Sequence, residues 1–155
     1  MQSVTPFSSL RDEQQLMTTL LALMKEEQRH LVAADIDAIT ELTARKTALV
    51  GQLSQLAAQR HQALAAAGFT AAEAGMEDWL VSANEAEAAS LWKALLETTR
   101  EAKEQNRLNS LLVNKHMVHT QGALNAMRPP AQSGNFYGPS GQPTTNTASR
   151  RVVIG

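Results

Sequence analysis

Between Ile39 and Ala67 the residues Ile39, Leu42, Lys46, Leu49, Leu53, Leu56, Arg60, Ala63 and Ala67 are separated alternately by three and four positions. Such a line stays on one face of an α-helix and drifts slowly enough to wrap around a neighbouring helix with left-handed coiled-coil packing. A strand repeats every two residues and could not keep these side chains together. A helix of this length with an apolar seam needs a second helix to cover it. Composition agrees: aromatics make up only 4% of the 155 residues, and the apolar 43% is mostly Ala and Leu. Those residues favour helix, whereas a sheet draws on Val, Ile, Tyr and Phe. The expected fold class is all-α, an antiparallel bundle or coiled coil of three long helices with a short connecting helix and a disordered C-terminal tail.

The first long helix should start near Ser9, where Ser9 and Asp12 read as a variant capping box, and should end at 32–34. Leu10, Met17, Met24 and Leu31 recur at heptad spacing on it. Asp35 or Asp37 is placed to cap the second helix, and Gly68 before Phe69 reads as its C-terminal stop. Thr70 and Glu73 suggest another capping box, opening a short helix with Met76, Trp79 and Leu80. The last long helix should run from about Asn84 to Met127, on the order of 65 Å at the helical rise. Its seam is half polar: Leu95, Thr99, Ala102, Asn106, Asn109, Val113, His116, Thr120, Ala123 and Met127. At Pro129 the composition changes, with four of the five prolines and four of the eight glycines from there onward. The expected organisation is a helical domain over residues 1–128 and a flexible tail over 129–155.

The formal net charge of −1 gives no basis for nucleic-acid binding. The tail has no Asp or Glu and ends with Arg150 and Arg151 before a β-branched stretch. With no cysteine there can be no disulfide or thiolate site. The N-terminus lacks the basic and then apolar pattern of a signal peptide. No apolar run approaches the ~20 residues of a membrane span. A cytoplasmic location without membrane insertion is the expectation. Glu27 and His30 form one Glu-x-x-His, but a di-iron bundle needs two, with two further glutamates. His116 and His119 lack the further ligands of a zinc site. Neither a catalytic constellation nor a cofactor site is expected, so the chain reads as a binding protein and not as an enzyme. Lys46 and Arg60 in the apolar seam are expected to pack by their stems, with their heads in water.

Three segments carry a resemblance. The stretch from Ala33 to Phe69 resembles the second helix of the FlgN family of flagellar type III export chaperones, basic seam residues included. Asn106-Arg107-Leu108-Asn109-Ser110-Leu111-Leu112 is similar to that family's Asn-x-x-Asn-Gly-x-Leu-Ile, with Ser110 in the glycine position. Tyr137-Gly138-Pro139-Ser140-Gly141-Gln142 resembles its Tyr-Gly-x-x-Gly-Gln. The resemblance implies a chaperone that binds C-terminal helices of hook-associated (hook–filament junction) proteins. It would prevent their premature assembly and deliver them to the cytoplasmic domain of the export-gate protein. Asn106, Asn109, Leu112 and Val113 are the candidate client contacts, and Phe136 with Tyr137 the candidate gate contact. A generic coiled-coil adaptor is the alternative, but such a spacer has no use for an aromatic island in a Gly/Pro-rich tail.

Overall fold

The computed structural model describes residues 4–128. Four helices follow in order, α1 (Leu10–Ala33), α2 (Ile36–Ala66), α3 (Ala74–Ala83) and α4 (Ala86–Met127), and there is no strand among the described residues. The all-α class and the three long helices with one short one are as the seam implied. The proposed tail, with Phe136 and Tyr137, lies outside the described residues. Contacts divide the chain between Asn114 and Lys115, and the two parts are described separately.

In the first part α1 and α2 form an antiparallel hairpin with almost no loop. Ala34 turns the chain at φ 57° in the left-handed region. Its N–H donates to the Leu31 carbonyl, and the N–H of Asp35 donates to that of His30. These two bonds complete a Schellman ending. Asp35 then caps α2 by accepting from the Ala38 N–H at 3.2 Å. One acidic residue thus closes one helix and opens the next.

The α1 seam facing α2 is Leu10, Glu13, Met17, Leu20, Met24, Glu27 and Leu31, again alternating three and four. Its acidic members lie two heptads apart, as do Lys46 and Arg60 on α2. The antiparallel hairpin pairs Glu13 with Arg60 and Glu27 with Lys46. A one-residue slip would separate both pairs, so the ions fix register while the leucines supply most of the burial. Fully burying each leucine contributes roughly 1.5–3 kcal/mol.

One apolar cluster holds Leu10, Leu64, Met76, Ala88, Trp92 and Leu95, with Phe69 and Trp79 against it. The other holds Leu20, Leu21, Met24 and Ala102. The path into α3 follows from Gly68, at φ 89°, which sends the Phe69 N–H back to the Leu64 carbonyl at 2.9 Å and the ring into the first cluster. At Gly75 any Cβ would overlap the carbonyl of Thr70, so the chain needs glycine there.

Two capping boxes expected from the sequence do not form. Ser9 makes no cap; its hydroxyl donates to Glu13 at 2.7 Å. Glu73 does not reach back to Thr70, because its carboxylate meets Arg60. In both cases a buried ionic group outcompetes a local backbone bond, as charge-assisted pairing should.

The buried line of α4 in this part is Ala88, Trp92, Leu95, Ala102, Gln105 and Asn109. It departs from the expected seam at Gln105, which is buried in place of the exposed Asn106. The second part is seen by itself as the last turns of α4, where Met117, Val118, Leu124 and Met127 are exposed.

Candidate partner-binding surface

Arg60 is 2% exposed in its side chain and is the largest fully buried residue. Its Nε and Nη2 donate to Glu13 at 2.9 and 3.1 Å, and its Nη1 and Nη2 to Glu73 at 2.6 and 3.3 Å. The guanidinium lies 4.8 Å from the ring centroid of Trp92. The expectation that its head reaches water is therefore wrong: two carboxylates of its own chain complete the charge. Burial alone would lower the Arg60 pKa, but hydrogen bonds to Glu73 and Glu13 outweigh that and raise it. For Glu73, partial burial pushes upward, yet the bond from Arg60, its charge and His61 hold the carboxyl below its ordinary range. This group ties α3, α2, α1 and α4 at one end of the hairpin and is structural.

At the other end the polar groups surround an opening. Asn109, 3% exposed, donates through Nδ2 to the Met24 carbonyl at 2.9 Å and to Glu27 Oε1 at 2.7 Å. Its Oδ1 accepts from Gln105, which also donates to Gln28. Lys46 donates to Glu27 at 3.4 Å and to Asn106 Oδ1 at 2.9 Å. A cavity of about 200 Å³ lies beside them, lined by Glu27, Leu31, Lys46, Asn106, Asn109, Ser110, Val113 and Asn114.

Among the residues singled out from the sequence, Asn106, Asn109 and Val113 line this one cavity. Asn109 faces inward and spends its carboxamide on α1; Asn106 is exposed and holds Lys46. Leu112 is half-buried and Val113 is 42% exposed. Glu27, Lys46 and Gln105 belong to the same cluster and were not singled out as site residues. The available signal was Glu27, a carboxylate in the apolar line of α1. Among the described residues no group of three or more His, Asp or Glu is placed to hold a metal ion. No helix there is long and apolar enough to cross a membrane.

Among the described residues, a helical hairpin held by the ion pairs of Glu13 with Arg60 and Glu27 with Lys46, with a polar cavity lined by α4, defines an all-α protein. The family model described as FlgN protein matches residues 1–145. The chain belongs to the FlgN family, and this membership supports a flagellar export chaperone role in general. Neither the curated proteins nor the solved structures contain a match to it.

Proposed function

We propose that the protein binds the C-terminal helices of hook–filament junction subunits in the cytoplasm, keeps them unassembled and brings them to the cytoplasmic domain of the export-gate protein, acting by binding and not by catalysis. One observation carries the client part. The last turns of α4 expose Met117 at 65%, Val118 at 72%, Leu124 at 57% and Met127 at 79%, and before them Leu111 is exposed at 52%. Exposed apolar side chains on a helix gain by covering an amphipathic partner helix, as in groove recognition, and methionine adapts to partners of differing shape. In the first part Asn106, Leu112 and Val113 supply further client contacts, with Asn109 fixing α4 behind them. Residues 129–155 serve as the gate-reaching tail, with Tyr137 as its anchor beside Phe136.

The test is titration of the junction subunits' C-terminal segments into the full chain and into a Val113→Asp, Met117→Asp variant. Client binding should fall at least tenfold with unchanged helical circular dichroism, given that a buried charge lacks compensation. Undiminished binding would refute this surface. Tyr137→Ala should leave client affinity intact and weaken gate binding by about 2 kcal/mol, a hot-spot effect.

A further inference from the structure

The cavity beside Asn109 has more chemistry than an apolar helix contact requires. We propose that it is a polar subsite for one carboxamide side chain, glutamine or asparagine, projecting from the bound helix; this rests on the client reading above. Three observations lead there. The walls are fixed in advance: Asn109 is buried and its two N–H groups are committed to Met24 and Glu27. Glu27, 7% exposed, is in turn held by Lys46. A ligand therefore meets a rigid surface and loses little to reorganisation.

The ionic groups cancel. Among the described residues that line the cavity the charged ones are Glu27 and Lys46, and they pair with each other. An incoming cation or anion would be desolvated without a free counter-charge, whereas a neutral polar group would not incur that cost.

The unused hydrogen-bonding capacity is of both kinds. Asn106 accepts from Lys46 through Oδ1, which leaves its Nδ2 donors open. Ser110 and Asn114, at successive helical turns, have no hydrogen bond from their side chains among the described residues. A primary carboxamide offers one acceptor and two donors at a fixed spacing and can answer both. A hydroxyl on a short stem has one donor and less reach. Leu31 and Val113 provide apolar wall for the methylenes of such a side chain.

The experiment is a double-mutant cycle on the full chain with the junction subunits' C-terminal segments as probes. On the chaperone side Ser110→Leu places an apolar side chain at the exposed mouth; on the probe each Gln and Asn is replaced singly by Ala. The expected result is that Ser110→Leu and one probe substitution each weaken binding about tenfold, the loss of one or two buried hydrogen bonds. Together they should weaken it little further, because both remove the same contact. Thermal melts identify a misfolded variant, and Ser110→Ala, which leaves the mouth open, then replaces it with a smaller loss expected. If wild type binds the segments but neither variant nor any probe substitution shows coupling, the subsite is refuted and the client reading stands. If wild type binds no segment, the client reading fails and the subsite falls with it.

Discussion

Replacing Arg60 by methionine should damage this fold more than any other single change on the α2 seam. Methionine fills similar space, so the perturbation isolates charge and hydrogen bonding. It would leave the Glu13 carboxylate, 3% exposed, with only the Ser9 hydroxyl as a close partner. It also removes four donor contacts and the stacking on Trp92. Glu73 is 60% exposed and can turn to water, so its loss contributes little. Breaking a buried pair by removing one partner costs about 3–5 kcal/mol, a large share of the roughly 5–15 kcal/mol of a whole domain. The melting temperature should fall by about 10–20 °C. Urea unfolding followed by circular dichroism measures the effect directly. Adding Glu13→Leu to Arg60→Met should recover most of the loss, because the pair is then replaced by apolar volume instead of being broken. A single variant within about 1 kcal/mol of wild type would refute the reasoning. So would a double variant no more stable than the single one.

Ala34→Gly should stabilise the hairpin by about 1 kcal/mol, since alanine at φ 57° bears the left-handed penalty that glycine escapes; chemical denaturation reads it. Gly51→Ala, with nothing near its future Cβ, should raise stability by about 0.5–1 kcal/mol, while Gly75→Ala should lower it through overlap with Thr70. The lowered pKa of Glu73 gives stability that is present above its unfolded value near 4.5 and is lost as pH falls through the lower folded value. Melts from pH 6 downward should show less acid loss for Glu73→Gln than for wild type.

The helices were legible because their physics is local. The three-and-four spacing of α2, the Asp35 cap and the Gly68 stop each depend on a few neighbouring residues, and each forms where the sequence places it. What escaped was long-range competition. Glu73 carries good capping chemistry but meets Arg60, 13 residues away, and Ser9 turns to Glu13, whose burial is set by Arg60 47 residues away. The ionic seam was half readable: Lys46 and Arg60 stood out among leucines, while Glu13 and Glu27 show only once the three-and-four line of α1 is drawn through them. Taken together, acidic and basic residues at equal two-heptad spacing specify the register, while the short connection through Ala34 and Asp35 sets the antiparallel direction. Gln105 in place of Asn106 on the buried line reflects the same limit. Two adjacent amides are indistinguishable by composition, and partners distant in sequence select between them: Gln28 on α1 takes Gln105, and Lys46 on α2 takes Asn106.

The single left-handed residue between α1 and α2 also orders events in time. Closing so short a loop between adjacent helices needs little chain entropy, and contacts of low sequence separation form early. The hairpin from Leu10 to Ala66 leaves the ribosome before α4 is complete. It can therefore settle its register through Glu27 and Lys46, nearest the turn, and then Glu13 and Arg60, before the last helix is complete. The nascent chain presents a preformed two-helix template, and α4 is the late arrival that docks onto it. A synonymous-codon change that slows translation through residues 110–127 would lengthen that interval without altering a single contact of the finished protein.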